Sequence, residues 1–194
     1  MRKVALAGVL ALAFGAAAQA SEGVLDQTNP GGSAGLNGIG HQWQQEVTAG
    51  VRGRLAGVML YGDGAVRVRI AEGEAYHTGP FAFDGLFEFA PQSLDGLFID
   101  MRAANIILSA GDTFVIDLSE STNGYTGSVT PYAGGDLWLT GGGWPGPTNF
   151  TALYGTSLMF ETFMEAVPEP STWAMMIVGF GAAGSMIRRR PVAA

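Results

Sequence analysis

The chain has 194 residues, 47% hydrophobic and 14% charged, with 30 glycines, no cysteine and a formal charge of −7. This balance excludes a disordered polymer, and the lack of cysteine excludes disulfide scaffolds, cysteine-based zinc sites and thiol nucleophiles. The acidic charge disfavours a nucleic-acid partner, which requires a basic face.

Residues 1–20 read as a secretory signal peptide. Arg2 and Lys3 form a short positive region, Val4 to Phe14 is uncharged and apolar, and Ala18-Gln19-Ala20 has the A-x-A form of a cleavage site. The expectation is a helix handled by the secretion machinery and cut by signal peptidase at Ala18 and Ala20. It is too short to be a permanent span.

Residues 21–165 follow as one expected domain. They hold five arginines and no lysine against 16 acidic residues, a formal charge of −11. Helix signals are nearly absent and strand signals recur. Gln45 to Ala49 alternates, and Leu55 to Tyr61 is rich in strand formers. Asp63-Gly64 follows and predicts a hairpin turn. Ala65 to Ile70 places Val66, Val68 and Ile70 on one face and Arg67 and Arg69 on the other, so one face is buried and one wet. Leu86 to Phe89, Leu97 to Met101 and Asn105 to Leu108 are shorter candidates. Ser109 to Asp112 is a turn, and Thr113 to Leu118 puts Phe114, Ile116 and Leu118 on one side. Asp136 to Thr140 and Ser157 to Met164 complete the set. Short strands at regular spacing, split by Gly, Asp and Pro, predict an all-β antiparallel sandwich.

The stretch from Trp43 to Gly50, with Gly53 to Val58 behind it, resembles the opening of jelly-roll domains related to carbohydrate-binding modules. Leu108 to Leu118, Tyr132 to Trp144 and Leu158 to Thr162 are similar to later segments of those domains. The resemblance implies a jelly roll. It transfers no binding residue, because the contacting loops of such domains vary.

Little in the sequence points to catalysis. The two histidines, His41 and His77, have no metal-ligand spacing. There is no nucleophile elbow and no phosphate loop. A carboxylate pair of the glycosidase kind remains open, because such pairs meet in space. Aromatic rings are the better lead. Trp144 lies in Gly141-Gly142-Gly143-Trp144-Pro145-Gly146-Pro147, where it is either a plug over the core edge or a presented ring. Tyr125 and Tyr132 share that ambiguity, so the three form the candidate glycan-binding set. Trp43 and Trp138 fall on predicted strands and are expected in the core. No catalytic residue, metal ligand or cofactor is assigned. A structural Ca²⁺ is the one ion that jelly-roll domains suggest, with Glu22, Asp26 and Asp136 as available oxygens. Asn149-Phe150-Thr151 reads as a chance sequon.

Residues 166–194 are of another kind. Pro168-Glu169-Pro170 refuses helix. Trp173 to Ile187 is an apolar run without charge, and Arg188, Arg189 and Arg190 stop it. A helix over 173–187 is about 22 Å long, which interfacial Trp173 and snorkelling arginines extend toward a bilayer core of about 30 Å. The ordered triple resembles the PEP-CTERM sorting signal of Gram-negative bacteria. That resemblance implies Pro168, Glu169 and Pro170 as the recognition motif and an exosortase as partner. It also implies an inner-membrane-anchored precursor that passes to the cell surface or the extracellular polymer matrix. The resulting expectation is a non-enzymatic exported protein, structural or adhesive, with exopolysaccharide as the ligand class. The alternative is a small secreted glycan hydrolase or lyase on the same fold.

Overall fold

Alternation along residues 65–70 becomes the spine of a large sheet. In the computed structural model, which describes residues 23–31, 34–76, 78–90, 96–167 and 175–180, strand β5 spans Gly62–Glu72. Val66, Val68 and Ile70 are fully buried, while Arg67 and Arg69 lie on the opposite face. Each such apolar side chain contributes roughly 1.5–3 kcal/mol on burial. β9 (Thr113–Ser119) pairs with β5 and buries Phe114, Ile116 and Leu118 on the same side.

The other strands are β1 (Val24–Asn29), β2 (Ala34–Asn37), β3 (His41–Thr48), β4 (Gly53–Leu60), β6 (Phe83–Phe89), β7 (Leu97–Asp100) and β8 (Ile107–Leu108). After β9 come β10 (Gly124–Ser128), β11 (Leu137–Gly141), β12 (Thr148–Asn149), β13 (Ser157–Leu158) and β14 (Phe160–Glu165). They form two sheets in which the described pairings are all antiparallel. The smaller runs β1-β14-β4-β7, with β8 beside β4. The larger runs β12-β11-β3-β9-β5-β10-β13, with β2 on β10 and β6 on β5. The chain passes from β3 to β4, back to β5, out again to β7, and returns at β9. One hydrophobic core lies between the layers, with Val47, Leu55, Phe114, Leu137 and Phe160 among its most buried members. This is an all-β, sandwich-like fold.

Several sequence expectations need correction. Asp63-Gly64 is not a hairpin turn, because β4 and β5 belong to different sheets. Gly64 has φ +75°, and the ladder changes partner there. Gly62 and Asp63 pair with β10, and Gly64 onward pairs with β6. Ser157 to Met164 is two strands: Leu158 still pairs with β10, whereas Phe160 already pairs with β4. Trp138 is not in the core. Leu137 and Leu139 point inward, so the alternation turns Trp138 to the outer face, where it is half-buried. β1, β2, β10 and β12 were not anticipated. A five-residue helix α1 (Phe150–Tyr154) begins at Asn149, whose side chain accepts from Ala152 N at 2.8 Å. The sequon is therefore a helix cap.

Gly57 is required by close approach, since a Cβ there would run into the Phe98 ring and lie 2.8 Å from Ile99 O. The proposed signal helix, residues 1–20, lies outside the described residues. Of the proposed span 173–187, residues 175–180 are described; they are helical and exposed. Among the described residues no helix is long and apolar enough to cross a membrane.

Candidate functional site

The outer face of the larger sheet carries a polar row. Register places Trp138 of β11 opposite Gln44 of β3, Gln44 opposite Asp117 of β9, Asp117 opposite Arg69 of β5, and Arg69 opposite Asp84 of β6. Directly paired residues share a face with Cβ atoms about 4.5–5.5 Å apart, so these side chains meet although they are far apart in sequence.

Asp117 is the centre and is wholly buried. Its Oδ2 accepts from the amides of Gln42 and Gln44, the latter at 2.7 Å. Its Oδ1 accepts from Arg69 Nε at 2.8 Å, and Arg69 Nη2 lies 2.7 Å from the same oxygen. Four donors therefore meet the roughly four acceptor sites of one carboxylate. A buried charge is tolerated only with such partners. The Arg69 guanidinium also lies over the Phe81 ring, 4.3 Å from its centroid, a cation–π contact.

Phe81 belongs to the segment after β5, which folds back over this face. Glu46 of β3 accepts from Ala75 N at 2.6 Å and from Asp136 N at 3.2 Å, and so ties that segment to the approach to β11. Tyr76 has φ 72°, unusual for a residue with a side chain, and its ring lies 6.3 Å from Trp138. Beside the row, Arg67 grips Asp84 through two parallel bonds, at 2.8 and 2.9 Å, and reaches Glu120 at 2.8 Å. The hydrogen bond from Arg67 holds the Asp84 carboxyl below its ordinary range. The Nε1 of Trp138 and the Oγ of Ser119, both on this face, are shielded and have no hydrogen-bond partner among the described residues.

The residues singled out in sequence lie elsewhere. Tyr125 is in the core, where burial pushes its phenol up to about 12, so it presents no ring. Its neighbourhood looked turn-rich, but it forms β10. Tyr132 is half-buried edge-on to Phe160, with its hydroxyl donating to Gln27 Oε1 at 2.8 Å. Burial pushes it up to about 12 as well. Trp144 packs against the core edge. Gly141, Gly142 and Gly143 all have positive φ and turn the ring inward over a pocket of about 250 Å³. Trp43, Phe150 and His41 line the same pocket. Trp43 is a core residue, as expected, with Nε1 donating to Asn37 O at 2.7 Å. His77 lies outside the described residues.

Asp26 accepts from Gly50 N and Val51 N, and Asp136 from Asn149 Nδ2 at 2.7 Å. Glu22 is outside the described residues, and among those described no three acidic or histidine side chains gather as for a metal ion. Pro168, Glu169, Pro170, Arg188, Arg189, Arg190, Ala18 and Ala20 likewise lie outside.

The strand β14 ends at Glu165, and the tail begins one residue later. Residues 166–190 match the PEP-CTERM protein-sorting motif. The motif starts where the sheet stops, so a folded body and a sorting tail divide the chain between them. A PEP-CTERM tail implies an exported protein, anchored at the membrane before processing, with exosortase as the processing partner. No curated protein and no solved structure matches the chain significantly.

Proposed function

We propose that the β domain is a non-enzymatic structural or adhesive module that binds extracellular polysaccharide on the outer face of its larger sheet. The tail delivers it to the cell surface or the polymer matrix. The observation that carries the binding reading is the row itself: a flat ring, Trp138, in register with amides, a carboxylate and a guanidinium. Sugars are held by ring stacking plus a few polar groups; the half-buried Trp138 ring offers the stacking surface, and the largely buried Gln44–Asp117–Arg69 row behind it holds that face rigid. The carboxylates on this face are committed to holding other protein groups: Asp117 to Arg69 and two glutamines, Glu46 to two backbone amides, Asp84 to Arg67. This supports positioning roles over proton transfer. Repeated crossing between two antiparallel sheets supports the jelly-roll form.

Two experiments test the two halves. Affinity electrophoresis of the whole chain is run in gels containing exopolysaccharide purified from the producing cells. Trp138→Ala is expected to weaken retention about tenfold, equivalent to about 1.4 kcal/mol for one lost stacking ring. Unchanged retention refutes the sheet-face site. For sorting, replacing Pro168 and Pro170 with Ala should leave the tail uncut in cells. Normal processing refutes recognition through the Pro-Glu-Pro motif.

A further inference from the structure

The smaller sheet ends in a surface with an unusual composition. β14 ends at Glu165, and its neighbours fix what surrounds that end. β1 begins beside it, with Val24 opposite Met164 and Leu25 opposite Phe163. β4 begins on its other side, with Arg54 opposite Glu165, and β8 pairs there with Ile107 opposite Arg54. The turn before β4 is fastened to β1, since Asp26 accepts from Gly50 N and Val51 N. Around this one end, Val24 is 71% exposed, Leu25 51%, Val51 48% and Ile107 42%. Three of the five arginines of residues 21–165 are here as well: Arg52, Arg54 and Arg102. Four carboxylates of this end are engaged: Glu165 by Arg54 and Arg102, Asp100 by Arg102, Asp26 and Asp112 by backbone amides. This end thus combines exposed apolar side chains with three of the five arginines of a domain that is otherwise strongly acidic.

The sequence says what this end must face. From Glu165 to Trp173, where the apolar run begins, the fully stretched chain covers about 28 Å. A domain of this size has a radius of gyration of about 15 Å and a width of about 38 Å. The tether is shorter than the body it holds, so it cannot bring the far end of the sandwich to the membrane.

We infer that the end of the domain formed by Val24, Leu25, Val51 and Ile107, with Arg52, Arg54 and Arg102, docks on the lipid bilayer that holds the tail. This rests on the reading of the tail as a membrane anchor. Apolar side chains enter the headgroup boundary, the arginines lower the negative charge that this end presents to it, and the acidic remainder points away from an anionic surface. Docking holds the segment between domain and bilayer at a fixed height, which is where exosortase must reach it.

The absence of cysteine permits single labelling sites. Val51→Cys, Ile107→Cys and Ile39→Cys are made in the full chain and labelled with an environment-sensitive fluorophore. The chains are then reconstituted into phosphatidylethanolamine–phosphatidylglycerol vesicles with and without brominated lipid. Ile39 is the control, 60% exposed in the turn before β3, at the opposite end. The labels at Val51 and Ile107 should shift to the blue and lose most of their emission to brominated lipid, while Ile39 keeps its own. Equal quenching at all three sites, or at none, overturns the inference. Blue shifts that follow protein-to-lipid ratio without lipid quenching also overturn it, and assign the surface to a second copy. Vesicle flotation reads anchoring separately. A chain that floats with Val51 unquenched fails only the docking, whereas one that does not float fails the anchor reading and the docking with it.

Discussion

Arg69→Met isolates the most consequential interaction on the outer face. The guanidinium lies 2.7 Å from Asp117 Oδ1, and Asp117 is wholly buried while the Arg69 side chain is 19% exposed. At an effective dielectric of about 20, that separation corresponds to an attraction of about 6 kcal/mol. Part of it offsets the cost of desolvating both ions, and breaking such a pair by removing one partner typically costs about 3–5 kcal/mol. Partial solvation of Arg69, and the two glutamine amides that stay on Oδ2, place the expectation near the lower end, about 3 kcal/mol. For a domain of this size that lowers Tm by about 6–12 °C. Thermal unfolding followed by circular dichroism measures it. The double variant Arg69→Met with Asp117→Asn removes the stranded charge and should recover at least half of the loss. A single variant within about 2 °C of the parent would refute the argument, because the pair would then behave as a solvated surface contact. So would a double variant no more stable than the single one.

Three other outcomes are expected. Arg54 and Arg102 hold the Glu165 carboxyl below its ordinary value of 4.5, so their stabilisation is complete above that pH and disappears as pH falls through the lower folded value. Glu165→Gln should therefore melt below the parent at pH 7, and the gap should shrink as the pH falls below 4.5; a gap independent of pH contradicts this. Trp144→Ala, at a half-buried ring against the core, should cost about 2 kcal/mol and leave polysaccharide retention unchanged; lost retention with unchanged Tm would move the binding site to the Trp144 pocket. Gly57→Ala drives a methyl into the Phe98 ring and should destabilise by about 1–3 kcal/mol, with wild-type stability showing that the ring simply swings aside.

The strands with one wet face were plain from sequence. In β5 Val66, Val68 and Ile70 alternate with Arg67 and Arg69, and that alternation admits only one assignment of faces; in β9 Asp117, between Ile116 and Leu118, marks the outer face. Leu137-Trp138-Leu139 offers three apolar residues in succession, so the sequence does not say which parity faces inward, and Trp138 is misassigned for that reason. Asp63-Gly64 misleads because a glycine with positive φ serves a hairpin turn and a change of ladder partner equally well. β1, reading VLDQTN, lacks the alternation that would reveal it, and its position at the sheet edge tolerates that mixture. The polar row was invisible because Gln44, Arg69, Asp117 and Trp138 come from four strands, and only register brings them together. Tyr125 was misleading in the opposite way: glycines and serines flank it as in a loop, yet pairing with β2 makes it a core residue.

β14 lies between β1 and β4 in the smaller sheet. It is the last element of the domain to be synthesised and it occupies an interior slot. Without it β1 has no described neighbour in that sheet, and Phe160 and Met164 are missing from the core. The sandwich therefore cannot lock while its final strand is still on the inner side of the membrane. In export as an unfolded thread, closure waits until residue 165 has crossed. Closure of the fold then coincides with arrival of the tail in the bilayer, so a molecule that has finished folding is also one that is ready to be sorted.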